Sequence, residues 1–431
     1  MVQERYSRQA KLRGWDQGKI ADAGIVIVGA NNAGCELAIG LAEMGYTRIV
    51  MIGEEEMDGS EWFVENCNKS SKRVEHLSWL CAQMNSDVVI EPIGKKVMSD
   101  ADTGSFFSDK VDLIVDMTND LRSKTACVQY AKSKAVRVIS GASTNNCLVV
   151  TNFAFEEDNL DDVLGFHAKD YARKPSGFLN ASLVSSLIME EIRKMVMPLK
   201  YDAQLRRFYY GGIRENSETI DIPVLMVGAG AIGSNVGRLC ACTGVQNLAI
   251  VDFDLVELGN LGNQIWYYNS PKTYKAQTLA DKMKRVNRKG RYVSHNSRFD
   301  LSWDSYLHGH KVDVLLSCVD NNPTRLIMQD LAEKHAIPLI NGGSSSDGSS
   351  CIVNNYLPSD TPRIDEQDLS TKEPAPPKNE DNCFGPSLTI PNRIAAVLIV
   401  NRLKGLLSAE PHRVKIMQLY YSARGIVEGE Y

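Results

Sequence analysis

The sequence predicts an α/β chain of two tandem units, each a mostly parallel β-sheet flanked by helices. Three observations carry this expectation. β-rich apolar runs lead through glycine turns into helically periodic segments. The whole succession occurs twice in the same order. And 431 residues are more than one ordinary core accommodates, suiting two domains of roughly 200 residues each.

Each half opens with a strand, a glycine turn, a helix and a second strand. These are GIVIVGANNAGCELAIGLAEMGYTRIVMIG (residues 24–53) and PVLMVGAGAIGSNVGRLCACTGVQNLAIVDFD (residues 223–254). VDLIVDMTNDLRSKTACVQYAKSKAVRVISGAS then matches VDVLLSCVDNNPTRLIMQDLAEKHAIPLINGGS as strand, acidic or amide turn, helix and strand. Near the ends, SSLIMEEIRKMVMPL pairs with AAVLIVNRLKGLL as a helix, followed by the strand-like QLRRFYYGG and IMQLYYSARG. The expected boundary lies near RENSET, giving units 1–215 and 216–431, the second with a crossover-type loop at 357–386 that contains the polar stretch LPSDTPRIDEQDLSTKEPAPPKNEDN. Loops of that size are usually functional or disordered.

Composition narrows the function classes. A hydrophobic content of 43% beside 23% charged residues is that of a soluble globular protein. No apolar run reaches the length of a membrane span and the polar N-terminus carries no signal-peptide core, so a cytoplasmic protein without a membrane partner is expected. With a net charge of −5 and no lysine/arginine stripe, nucleic acid is not an expected partner. The ten cysteines are scattered, several in apolar runs, as reduced buried thiols are. No CxxC pair supports a zinc clip.

The second glycine loop carries nucleotide-binding chemistry. Gly228 permits the tight turn, Gly230 lets backbone amides approach phosphate, and Gly233 lets the helix pack with its positive N-terminus toward the anion. Asp252, at the end of the next strand, is placed to accept hydrogen bonds from ribose hydroxyls. Lys275 near the start of a following helix and Asp320 at the end of a later strand would neutralise a triphosphate and hold Mg2+. They turn the Rossmann-like reading from a dinucleotide to ATP. NAD chemistry rests on the glycine loop alone.

RYSRQAKLRGWDQGKIADAGIVIVG, GAGAIG with VDFD and GNLGNQ, KTYKA, and CVDNN followed by Arg325 resemble the adenylating superfamily of molybdopterin- and thiamine-synthesis activators and ubiquitin-activating (E1-like) enzymes. The resemblance implies two Rossmann-like adenylation domains, inactive then active, with ATP and Mg2+ as cofactors. It adds Asp254, Asn260 and Gln264 to the nucleotide contacts. Where the second half has Gly230, Asp252, Lys275 and Asp320, the first has Asn31, Gly53, Arg73 and Asn119, each removing a nucleotide, phosphate or metal contact. In homodimeric relatives the arginine of an N-terminal RYxRQ reaches the partner's ATP. Only the first half has that motif here, so Arg8, with Arg5 beside it, is the candidate transition-state cation. Surface ion pairing is the plainer alternative. The superfamily's NLxRQ stands here as NLGNQ, with Asn263 at the arginine position.

The implied chemistry is attack of a C-terminal carboxylate on the α-phosphorus of ATP, then transfer to a cysteine as a thioester. Cys383 in NEDNCFGPS is the candidate, before a helix whose N-terminus would favour the thiolate. Cys351, opening an apolar strand, reads as packing. The implied partners are a ubiquitin-like, β-grasp modifier ending in glycine and an E2-like conjugating protein, with the chain a monomer acting as an intramolecular pseudo-dimer, or a homodimer. Two alternatives stand beside this: adenylation of a sulfur carrier without an obligatory thioester, and a non-catalytic scaffold, which Asn263 favours. TPCxxC of the superfamily appears as TPRID, so zinc is not expected, and His308 and His310 read as solvated loop residues.

Overall fold

The computed structural model describes residues 4–57, 63, 72–106, 111–144, 148–152, 177–198, 207–210, 213, 215, 219–345, 348–358, 361, 363, 386–406, 418–422 and 425–429. The chain divides into two compact units. One comprises Gly14–Asn216; the other joins Gln3–Arg13 to Ser217–Tyr431. Among the described residues, no helix is long and apolar enough to cross a membrane.

In the Gly14–Asn216 unit the elements run α1 Gln17–Asp22, β1 Gly24–Val28, α2 Asn32–Met44, β2 Arg48–Ile52, α3 Arg73–Met84, β3 Val89–Ile93, α4 Asp100–Phe106 and β4 Leu113–Asp116. They continue as α5 Leu121–Lys134, β5 Arg137–Ser143, β6 Leu148–Asn152, α6 Phe178–Val196 and β7 Arg207–Tyr210. The sheet order is β3-β2-β1-β4-β5-β6-β7. The strands from β3 to β5 are parallel and β6 and β7 antiparallel. All five residues of β1 are buried, as expected for a central strand covered on both faces.

The other unit repeats the plan as β8 Val224–Val227, α7 Ala231–Cys242, β9 Asn247–Val251, α8 Lys275–Val286, β10 Arg291–His295, α9 Trp303–Gly309, β11 Val314–Ser317 and α10 Asn322–Lys334. β12 Leu339–Ser344, β13 Ser350–Tyr356, α11 Thr389–Leu406, β14 Gln418–Ser422 and β15 Gly425–Gly429 complete it. Its eight strands are ordered β10-β9-β8-β11-β12-β13-β14-β15, so GIVEG near the C-terminus forms an edge strand the sequence reading did not assign. One core lies on the α9–α10 face, where Leu225, Leu315, Leu339 and Tyr356 meet Trp303, Met328 and Leu331. These are mostly parallel sheets flanked by helices, as the sequence predicts. In each, strand order reverses beside the first strand, the point at which α/β sheets open a ligand crevice at their carboxyl ends.

Candidate functional site

The crevice of the second unit is built by the turn between β8 and α7. Gly228 has φ +95°, and a Cβ there would lie 2.7 Å from the Cys318 carbonyl oxygen. A Cβ on Gly233 would lie 1.9 Å from the Gly228 carbonyl oxygen, so both glycines are required by close backbone approach. Gly230 differs: nothing lies within 4 Å of its Cβ position. It faces open space at the N-terminus of α7, where no side chain caps the helix. Free amides, a helix dipole and open space together suit an anion.

Asp252 locks the turn. Its Oδ2 accepts the Ala229 N–H at 2.6 Å and its Oδ1 the Asp254 N–H at 2.8 Å. Burial raises its pKa, while Lys275 and these two amides pull the other way. The Lys275 side chain is 6% exposed, and its ammonium donates to Asp254 Oδ2 at 2.9 Å. Tyr267, which the sequence reading missed, is fully buried and donates from its hydroxyl to the Ala229 carbonyl at 2.7 Å. It lies in a short helical turn, Ile265–Tyr267, too brief for sequence periodicity to single out.

The neighbouring segment Leu258–Asn260 is closed by a reciprocal capping box between Glu257 and Asn260. Beyond it, Asn263 is 1% exposed, and neither its Nδ2 nor its Oδ1 has a hydrogen-bond partner among the described residues. The same holds for Asn260 Nδ2 and Gln264 Oε1. Buried amides are nearly always satisfied. Four orphaned atoms in five consecutive residues are consistent with groups that meet a ligand.

Arg8 belongs to the same unit as these residues. Burial lowers the pKa of its guanidinium, and the carboxylates of Asp320, Asp254 and Glu257 raise it in turn. Arg8 thus shares the Asp254 carboxylate with Lys275. Its backbone carbonyl accepts the Ser387 N–H at 3.4 Å, and the Arg5 carbonyl lies 2.3 Å from the Cβ position of Gly262. Asp320, exposed after β11, directly precedes Asn321, whose side chain caps α10.

The first unit keeps the turn but fills it with its own side chains. Gly29 has φ +106°, and a Cβ on Gly34 would again lie 1.9 Å from the Gly29 carbonyl oxygen. Asn31 caps α2, its Oδ1 accepting from Ala33 and Gly34 N–H at 3.1 and 3.0 Å, and its Nδ2 donates to the Met117 carbonyl at 2.5 Å. Glu55 supplies the carboxylate that Gly53 lacks, accepting the Ala30 N–H at 3.3 Å. Arg73 lies over the turn, donating to the Ala30 carbonyl and Asn32 Oδ1 at 3.4 and 3.3 Å. The Asn31 oxygen therefore takes the helix-end amides that an anion would use.

Cys383 lies outside the described residues, as do 364–385 of the expected crossover loop. Cys351 is buried on β13. Arg363, in TPRID, forks onto Asp330 at 2.8 Å and onto Glu333, both on α10. His308 lies in α9 rather than a loop, and His310 stacks on Tyr306 at 4.2 Å between ring centroids.

The chain is similar in sequence to known proteins. Over 148 residues, 34% of the chain, it is 32% identical to a Caenorhabditis briggsae protein named adenylyltransferase and sulfurtransferase MOCS3, covering 37% of that protein. Over 220 residues, 46% of the chain, it is 27% identical to ubiquitin-like modifier-activating enzyme 5 of Branchiostoma floridae, covering 52% of it. The chain thus spans about half the length of these relatives or less. The ThiF family matches residues 6–222 and again 201–424. Two matches in tandem take in nearly the whole sequence, and the chain belongs to the ThiF family.

Proposed function

We propose that this chain uses ATP to adenylate the C-terminal carboxylate of a ubiquitin-like, β-grasp protein ending in glycine, in the crevice of the second unit. The observation that carries the reading is the uncapped N-terminus of α7 under the open Gly230, beside orphaned buried amides. That cradle fits a polyanion. ATP would supply the adenylyl group and a pyrophosphate leaving group, and Mg2+ would screen their charge.

In this reading Gly228, Gly230 and Gly233 shape the phosphate cradle, and Asp252 holds the ribose. Asp254, Asn260 and Gln264 line the nucleotide, and Asn263 offers an uncharged donor. Lys275 and Arg8 neutralise phosphate charge, and Asp320 would hold Mg2+. Such catalysis is positioning and charge neutralisation rather than proton transfer. The first unit, its anion site taken by Asn31, serves as an adenylation-like partner within one chain.

Cys383 then attacks the acyl-adenylate, releasing AMP and keeping the acyl group as a thioester, and passes it to an E2-like conjugating protein, in the cytoplasm. Similarity to proteins named adenylyltransferase and sulfurtransferase supports a second reading, in which a sulfur carrier is adenylated without an obligatory thioester. ATP–pyrophosphate exchange with candidate glycine-terminated β-grasp proteins tests both. Exchange that survives Cys383→Ala while a thiol-cleavable thioester disappears supports the first reading; retention of all product formation supports the second. A chain silent with every such protein is a scaffold.

A further inference from the structure

We propose that Arg325 is a positioning residue for the Asp320 loop, and that an uncharged residue at position 317 keeps it in that role. The proposal rests on the reading of Asp320 as a metal-site residue, and comes from comparing the same helix position in the two units.

Arg325 lies in the first turns of α10, five residues after Asp320. It donates from Nε and Nη2 to the Val319 carbonyl at 3.2 and 2.9 Å, and from Nη2 to the Gly342 carbonyl at 3.4 Å. A Cβ on Gly343 would come within 2.9 Å of Nη2. The guanidinium therefore pins the peptide immediately before Asp320 to the end of β12, using a two-donor grip that a lysine lacks.

Lys124 holds the corresponding position in α5, five residues after Asn119, but its charge goes elsewhere. Its ammonium donates to Asp116 Oδ2 at 2.6 Å, Ser140 Oγ at 2.9 Å and the Gly141 carbonyl at 3.3 Å. The pair is sealed from solvent, with side chains 3% and 0% exposed. Asp116, Ser140 and Thr151 are register neighbours across β4, β5 and β6.

The matching row across β11, β12 and β13 is Ser317, Asn341 and Asn354. It is buried at 1%, 2% and 0% exposure and carries no charge. Ser317 Oγ, Asn341 Oδ1 and both Asn354 amide atoms lack partners among the described residues. A cation sent into that row would meet dipoles but no carboxylate, an unfavourable burial. Arg325 binds the rim carbonyls instead. Residue 317 thus selects between a cation held under the sheet and one that holds the loop.

Ser317→Asp rebuilds the carboxylate of the first unit. The expected result is faster hydrogen exchange of the 318–321 amides, with the Mg2+ concentration for half-maximal pyrophosphate exchange raised roughly 10–100-fold, the range for lost outer-shell support, and kcat at saturating Mg2+ little changed. Arg325→Lys should fall between wild type and Ser317→Asp, whereas a general structural role would lower kcat and thermal stability together. Unchanged 318–321 amide exchange in Ser317→Asp overturns the proposal. Asp320→Asn, assayed alongside, separates the two ideas. If it leaves the Mg2+ dependence untouched while the Ser317→Asp amides still quicken, the Asp320 reading fails and the Arg325 clamp stands.

Discussion

Asn31 Oδ1 accepts the backbone N–H of Gly34 at 3.0 Å, so the first unit's helix N-terminus is occupied by its own side chain. At the equivalent place in the second unit Gly230 leaves the helix uncapped. This one difference separates a turn whose helix end is capped by a side chain from one whose helix end is left uncapped.

Gly230→Asn should close the working site in the manner of the first unit. The position is sterically open, so the fold tolerates the side chain, and a new cap stabilises rather than strains. Thermal unfolding without nucleotide is expected unchanged or slightly higher, with the ATP/Mg2+-induced shift abolished. A retained shift would show that phosphate does not use these amides.

Asn31→Ala removes a cap that serves two amides. The expected cost is about 1 kcal/mol, read by urea unfolding, with pyrophosphate exchange per folded molecule unaltered. Lost exchange at unchanged stability would place nucleotide in the first unit instead.

Arg8→Ala should lower the exchange rate about 10²–10³-fold, the usual effect of removing a group that meets developing charge. The carboxylates of Asp320, Asp254 and Glu257 lose one cation while Asp254 keeps Lys275, so Mg2+ binding without nucleotide should tighten modestly, measurable by calorimetry. A rate within a factor of about two of wild type would show that Arg8 is only a surface partner.

Asp252 gives a pH signature. Burial holds its carboxyl above the ordinary range, against the pull of Lys275 and two backbone amides. As pH falls through that raised pKa the carboxylate becomes protonated and cannot keep accepting from Ala229, Asp254 and a ribose hydroxyl together. ATP affinity should therefore fall on the acid side at a higher pH than a free aspartate would give. Asp252→Asn should bind weakly and lose that acid limb, as titration calorimetry across pH would show.

Much of this was legible in the sequence. The alternation of glycine turns with apolar periodicity gave both units, because strand and helix patterns are local. The contrast of Asn31 with Gly230 marked where the two turns differ, and the structure shows that difference as a capped and an uncapped helix end. Glu55 was not legible: it lies two residues past the missing carboxylate at Gly53, and only the folded turn shows its side chain reaching Ala30. Tyr267 acts through one hydrogen bond to the distant Ala229 carbonyl, and Arg325 through bonds to the Val319 and Gly342 carbonyls, which no spacing rule records.

By itself the sequence determined two tandem α/β sheets, their strand–turn–helix openings and the residue types left at each turn, since backbone preference and hydrophobic period are written locally. Tertiary structure alone decided that Gln3–Arg13 folds with the second unit, that Asn31 takes its own helix's amides, and that Lys124 and Arg325 turn to different partners. Those outcomes depend on which buried charges and dipoles meet across the sheet, and that is settled only when desolvation makes an unpaired buried charge costly and chain segments distant in sequence meet in space.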